Sequence, residues 1–274
     1  MNVLVTGGAG YIGSELVDAL TRDERVSEVV VYDNLSRKHR GLFLCGRLPD
    51  ARIRFVHGDI LDSRRLEREL DGIDVVYHLA ARVSTPFAED HPHGFEQVNH
   101  WGTAELSDSL ERRGDPLPRV VYASSASVYG SSTEPFDLSS EPVPRTWYGI
   151  SKRRGERMLE RLLDRGDIIL ARCGNVFGYG RAMRFDAVIN RFAFEALYEG
   201  RITVEGNGHQ RRAFIEIGQL VRALVHLGVQ GADPGPYNLV THNLAVAEIA
   251  EQVLALFPGV ETLHAQQDLE RRSL

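Results

Sequence analysis

The chain has 274 residues, 43% hydrophobic and 26% charged, and its 32 Lys and Arg against 38 Asp and Glu give a formal net charge of −6. That composition supports a sizeable core and excludes a disordered chain, and its acidic balance disfavours non-specific nucleic-acid binding while leaving an anionic small molecule open. Cys45 and Cys173 are too few for a disulfide framework, no apolar run reaches the roughly 18 residues of a membrane span, and a strand beginning at Asn2 leaves no room for a signal peptide, so a cytoplasmic protein is expected.

Short apolar runs alternate with helical stretches, the pattern of a parallel sheet with crossover helices. Val3 to Val5 reads as a buried strand and Tyr11 to Leu20 as a helix with Ile12, Leu16 and Leu20 on one face. Strands are then predicted at Val29–Tyr32, Ile53–Val56, Val75–His78, Val120–Ala123 and Ile168–Arg172. Between them lie helices at about Leu61–Leu70, Phe95–Arg112 and Tyr148–Leu163. Near-continuous Val, Ile and Leu in each strand is what burial on both sheet faces demands. After Arg172 the alternation weakens. Helices are predicted at Arg184–Tyr198, Leu220–Leu227 and Val246–Leu256, and short strands at Ile202–Val204, Phe214–Ile217 and Tyr237–Val240. The expected fold class is α/β. A Rossmann doubly wound parallel sheet over residues 1–173 is followed by a smaller, mainly substrate-binding C-terminal domain over 174–274, with a discontinuous boundary.

Between the first strand and helix stands Thr6-Gly7-Gly8-Ala9-Gly10-Tyr11-Ile12-Gly13, in which Gly8, Gly10 and Gly13 satisfy G-x-G-x-x-G. Glycines permit a tight turn and close approach to a pyrophosphate, and the helix N-terminus supplies N–H donors. A flexible turn is the bland reading, but both confirming contexts, strand before and helix after, are present. Asp33 ends the second strand twenty residues after Gly13, where a carboxylate accepts hydrogen bonds from a ribose and repels a 2′-phosphate. NAD is favoured over NADP, with Arg37 and Lys38 close enough to argue the other way.

Tyr148 and Lys152 are spaced i and i+4 on a helix, so they share a face. An adjacent ammonium favours phenolate and brings a tyrosine toward service as a general acid/base. An ordinary amphipathic helix shows the same spacing by chance. The fifth strand ends in Ala123-Ser124-Ser125-Ala126-Ser127-Val128-Tyr129-Gly130, which projects hydroxyls into the ligand crevice of a parallel sheet or is merely a turn.

Together these blocks resemble the extended short-chain dehydrogenases/reductases, in the nucleotide-sugar epimerase/dehydratase branch. The likeness also rests on Asp33-Asn34-Leu35-Ser36, Gly58-Asp59-Ile60, His78-Leu79-Ala80-Ala81, Asn99 with Gly102-Thr103, and Arg172 with Asn175-Val176-Phe177-Gly178. The resemblance implies that Tyr148 exchanges a proton with the sugar, Lys152 holds the nicotinamide ribose, and Ser125 bonds the reacting sugar oxygen, with Ser124 and Ser127 as weaker candidates. It implies a cofactor site of Gly7, Gly10, Tyr11, Ile12, Gly13, Asp33, Asn34, Asp59, Ile60, Leu79, Ala80, Ala81 and Asn99, together with Tyr148 and Lys152. Substrate contacts are implied for Ser84, Ser125, Asn175 and Arg212, the last as a diphosphate ligand suited to bidentate contact. No metal is expected, because the histidines show no ligand spacing.

The later blocks depart from the family. Arg212-Ala213-Phe214 stands where an arginine-aspartate-phenylalanine run is usual, and a second phosphate-binding arginine near the C-terminus has no clear counterpart, His264, Gln266, Arg271 and Arg272 being closest. Dehydratases of the family carry an acid pair directly after the catalytic serine or threonine, whereas Ala126 and Ser127 stand here. The expectation is therefore an NAD-dependent epimerase acting on a nucleotide-diphosphate sugar, at C4, through a transient keto-sugar. The alternatives are an NAD(P)H-dependent keto-sugar reductase and a non-catalytic dinucleotide-binding scaffold. The expected assembly is a homodimer pairing the helices near 95–112 and 148–163, without nucleic acid or membrane partners.

Overall fold

The computed structural model describes residues 1–37, 51–83, 92–132 and 134–265. Seven parallel strands form the main sheet in the order β10-β6-β5-β4-β1-β2-β3. They are β1 (Asn2–Thr6), β2 (Glu28–Asp33), β3 (Ile53–His57), β4 (Val75–His78), β5 (Arg119–Ser125), β6 (Ile168–Cys173) and β10 (Gly235–Leu239). The order reverses between β1 and β4, the switch point at which open α/β sheets bind ligands. Strands β1, β4, β5 and β6 are buried almost end to end, as their aliphatic runs require.

Helix α1 (Tyr11–Leu20) packs on one face with α6 (Ile217–Val225), closing a core of Val3, Val5, Leu16, Leu20, Val121, Leu220 and Leu224. The opposite face carries α2 (Ser63–Glu69), the long helix α3 and α4 (Trp147–Glu160) over Leu4, Val30, Leu106, Leu110, Tyr122 and Leu159. Helix α3 spans 92–113 with a π-helical segment at Glu96–Trp101. Segments beyond β6 build a second core around Phe192, Ile202, Phe214, Ile249 and Val253. Its elements are β7 (Asn175–Phe177), α5 (Val188–Tyr198), β8 (Arg201–Glu205), β9 (Arg211–Glu216), β11 (His242–Ala245), α7 (Val246–Leu256) and β12 (Glu261–Ala265). They form a three-stranded sheet β11-β9-β7 and a pair β12-β8. Strand β10 returns to the main sheet beside β6, so the chain after residue 173 is shared between both cores.

The sequence reading and the structure part at β7, β11 and β12, none of which was anticipated. All three are short, and β11 and β12 are mostly exposed, so no apolar alternation marks them. Helix α5 begins at Val188 rather than Arg184, because Arg184 pairs with Asp186 in the turn before it. No described helix is long and apolar enough to cross a membrane.

Candidate active site

The glycine turn is shaped by contacts that leave no room for side chains. Gly7 has φ +71°, and a Cβ there would lie 2.6 Å from the Ala80 nitrogen; one on Gly13 would lie 2.4 Å from the Gly7 carbonyl. At Gly10 the same atom would meet only the Gly7 oxygen, at 3.2 Å, so this side of the turn is open. Gly10 is also the N-cap of α1 and offers no side-chain acceptor to the helix's first amides. An open cradle at an uncapped helix N-terminus fits the pyrophosphate of a dinucleotide.

Asp33, at the end of β2, ties this turn to the strand. Its carboxylate accepts from the Ala9 amide at 3.0 Å and the Leu35 amide at 2.7 Å. Asn34 donates to Asp59 at 2.9 Å, and Tyr32 donates to the Asp59 carbonyl at 2.8 Å, bringing Asp33, Asn34, Asp59 and the buried Ile60 to one corner. On the other side of β1, the Leu79 amide donates to Thr6 O at 3.0 Å, and Ala80 and Ala81 follow it along the crevice. The Tyr11 ring turns away from the glycines: its hydroxyl donates to the Gly178 carbonyl, and burial raises its pKa. Ile12 packs against the main core. Any contact of Tyr11 or Ile12 with a dinucleotide therefore falls to their backbone amides.

Helix α3 reaches the site through its π-helical segment, which turns Asn99 inward. The Asn99 amide accepts from the Arg82 amide at 2.8 Å, donates to the Arg82 carbonyl at 2.9 Å, and donates to Ser151 Oγ at 3.0 Å. Asn99 thus joins the chain after β4 to the middle of α4, one residue before Lys152. Ser84 lies outside the described residues.

Tyr148 and Lys152 enter on α4, whose N-terminus is capped by the Thr146 hydroxyl. Ser125, 92% buried at the tip of β5, accepts from the Ser127 amide at 3.2 Å, donates to Ser127 Oγ at 3.1 Å, and stands close enough to the Tyr148 phenol to pull its pKa down. The serine and tyrosine of the sequence reading are therefore together. The expected phenol–ammonium pairing is not the arrangement found. Lys152 Nζ donates to the Ala123 carbonyl at 2.7 Å and lies 4.8 Å from the centre of the Tyr122 ring. Burial raises the Tyr148 pKa, opposed by the Ser125 hydroxyl and the charges of Arg184 and Arg37. Desolvation is the largest of these contributions and sets the direction. The same burial brings Lys152 down to about 8, opposed by Cys173 and Glu156, and carries the Cys173 thiol up to about 12.

Asn175 and Arg212 lie on adjacent strands of the three-stranded sheet. Asn175 opposes Phe214 in register and donates to the Ala213 carbonyl at 3.0 Å, while Arg212 opposes Leu244. Both are exposed, and both already have protein partners. The sequence assigns the segment 178–186 to the sugar pocket without singling out Arg184, and it gives Glu156 no role. Arg184 sits in a turn without periodicity, but Glu156 was discoverable as the next residue, after Tyr148 and Lys152, in an i, i+4, i+8 row. Among the described residues no three His, Cys, Asp or Glu are grouped to hold a metal.

Residues 3–239 match the model of the NAD dependent epimerase/dehydratase family. The chain belongs to that family. It is 29% identical over 267 residues to a mouse dTDP-D-glucose 4,6-dehydratase, covering 93% of this chain and 72% of the relative. It is 31% identical over 277 residues to UDP-glucuronic acid decarboxylase 3 of Arabidopsis thaliana, covering 95% and 76%. The dTDP-glucose 4,6-dehydratase of Streptomyces venezuelae, solved with NAD bound, superposes with TM-score 0.87 at 28% identity over 97% of this chain and 85% of that one. A UDP-glucuronic acid 4-epimerase from Bacillus cereus, solved with UDP-glucuronic acid and NAD, gives 0.83 at 25% identity over 100% and 92%. This family member is therefore an NAD-dependent enzyme that modifies nucleotide sugars.

Proposed function

We propose that this family member is a nucleotide-diphosphate-sugar 4-epimerase. Bound NAD supplies the hydride acceptor for oxidation of the sugar and the hydride for its return. The open face of the Gly7–Gly13 turn, Asp33, Asn34, Asp59 and the crevice at Leu79–Ala81 hold the dinucleotide, and Lys152 holds the nicotinamide ribose. Tyr148 takes the proton from the C4 hydroxyl and gives it back to the keto-sugar. Ser125 bonds the reacting oxygen and keeps the phenol aligned. Asn175 and Arg212 grip the diphosphate while the keto-sugar presents its other face.

The observation that carries this reading is the tip of β5. Ser125 stands near Tyr148 there, and the two residues that follow it, Ala126 and Ser127, supply no acid to expel water from C5 and C6. A second reading, decarboxylation of a nucleotide-linked uronic acid, is favoured by the 31% identity to a UDP-glucuronic acid decarboxylase. It needs no acid pair either, since a 4-keto uronic acid is a β-keto acid. Incubation with UDP-, GDP-, CDP- and dTDP-sugars, with uronic acids included and no added reductant, followed by NMR, separates them. An inverted C4 with no net cofactor reduction supports epimerisation. Pentose and carbon dioxide from a uronic acid, or product only from keto-sugars with consumption of reduced cofactor, rejects it.

We further propose a homodimer built on α3 and α4. The Arg154–Glu96 ion pair at 2.7 Å links the two helices, and they expose Trp101 and Trp147. Sedimentation should show twice the 30.6 kDa chain mass, and Trp101→Glu should halve it.

A further inference from the structure

Lys152, Glu156 and Arg172 are the only buried Lys, Arg, Asp or Glu among the described residues, so one carboxylate serves two buried cations. The Glu156 side chain is fully out of solvent and that of Arg172 is 5% exposed. Glu156 Oε1 accepts from Ser124 Oγ at 2.6 Å and Arg172 Nε at 2.9 Å; Oε2 accepts from Arg172 Nη2 and Arg153 Nη1, each at 3.0 Å. Four donors fill the four lone-pair directions of an ionised carboxylate. The network continues from Arg172 Nη1 to Tyr129 Oη at 2.9 Å and from there to Asn238 Oδ1 at 2.9 Å.

These contacts hold the site from behind. Ser124 precedes Ser125 on β5 and faces the other side of the sheet, so bonding Ser124 fixes the strand tip that presents Ser125. Glu156 stands four residues after Lys152 on the same face of α4. Lys152 reaches β5 at Ala123 and Glu156 reaches it at Ser124, so the two side chains grip adjacent residues of one strand.

The surroundings of Lys152 single out Glu156 further. The Tyr122 ring and Ala123 carbonyl face it from β5, the Cys173 thiol from β6, and His78 from β4. Tyr148 and Glu156 share its helix, with Arg184 and Arg37 beyond Tyr148 and with Arg153 and Arg172 beyond Glu156. Burial keeps the thiol protonated and the imidazole neutral, and it raises the pKa of the Tyr148 phenol. Among the described groups around Lys152, Glu156 is the carboxylate.

We propose that Glu156 is a positioning residue of the reaction, which keeps Lys152 charged and Ser125 in place without touching substrate or cofactor. This rests on the Tyr148, Lys152 and Ser125 roles given above. Lys38 and Lys152 are the only lysines in the sequence. Protein labelled with carbon-13 at lysine Cε in a Lys38→Arg background therefore yields one lysine signal, whose shift against pH reports the Lys152 ammonium directly. Glu156→Gln should make that ammonium about tenfold more acidic. An unchanged titration in the folded variant would overturn the proposal. If Glu156→Gln loses its dispersed amide spectrum, Glu156→Gln with Arg172→Met removes the carboxylate together with the guanidinium paired to it. Acidification of Lys152 is expected there too, smaller because the Arg172 charge goes with it, and no change overturns the proposal. Loss of the fold in both variants assigns the pair to stability alone and also overturns it. The readout needs no turnover, so failure of the sugar assays and failure of this titration are separate results.

Discussion

At the scale of single residues, the phenol of Tyr148 is the group proposed to exchange the sugar's proton. Ser125 is the hydroxyl near it, and Lys152 is committed to the Ala123 carbonyl. Tyr148→Phe keeps the ring against Phe95, whose centroid is 5.9 Å away, and removes only the exchangeable proton. Turnover should fall by roughly 10²–10⁴-fold, as loss of a general acid/base does, with NAD affinity nearly unchanged by calorimetry. Asp33 carries a second prediction. Its carboxylate is held at the end of β2 by the Ala9 and Leu35 amides, where the proposed site places the ribose. Calorimetric titration should show NAD binding more tightly than NADP; equal or tighter NADP binding would transfer the selectivity to Arg37. Asp33→Asn should narrow the difference by removing the charge that repels a 2′-phosphate.

Elements meet at His78, which is fully buried where β1, β4 and α3 converge. Its Nδ1 bonds Thr6 Oγ1 at 2.7 Å and its Nε2 bonds Thr103 Oγ1 at 2.9 Å. Thr103 donates onward to the Asn99 carbonyl at 2.7 Å, so the hydroxyl accepts from Nε2–H and the imidazole is neutral. Burial, with the Lys152 charge adding to it, lowers the His78 pKa from 6.5 to about 3. The unfolded chain therefore takes up a proton below about pH 6.5 that the folded chain refuses until near pH 3. Stability falls as pH drops through that window, by about 1.4 kcal/mol per pH unit from this group. Denaturant midpoints measured from pH 7 to pH 4 should fall accordingly. His78→Gln, which keeps a donor and an acceptor but does not titrate, should show a shallower slope.

For the whole molecule, the two cores are joined at the nucleotide turn itself. The Tyr11 hydroxyl on α1 donates to the Gly178 carbonyl, and the Gly178 amide donates to Asn190 on α5 at 2.9 Å. Strand β10 stitches the late chain to β6, and α6 packs on α1. The cores should unfold together, in one transition by both circular dichroism and fluorescence. NAD at about 100 times its Kd should add about 2.7 kcal/mol of stability and move that transition upward without splitting it. A second transition untouched by NAD would show instead that the smaller core unfolds on its own.

How much of this was legible beforehand depends on the range of the interaction. Local order wrote the main sheet: strand-glycine-helix at Val3 to Leu20, the aliphatic runs of β4, β5 and β6, and Tyr148 and Lys152 one turn apart on α4 all follow from periodicity, turn chemistry and near-neighbour spacing. The family and its cofactor followed from those same blocks. Only the tertiary structure decided which partner each polar group takes. Lys152 bonds a strand carbonyl 29 residues away, Asn99 brackets Arg82, and Tyr11 turns to a carbonyl 167 residues distant. The short strands β7, β11 and β12 belong here too, since backbone pairing across the smaller core makes them strands and their side chains carry little pattern. Glu156 shows the division most plainly. Sequence placed it in a row with Tyr148 and Lys152, but a buried carboxylate is defined by its donors, and Ser124 and Arg172 reach it from neighbouring strands that only the folded sheet sets side by side.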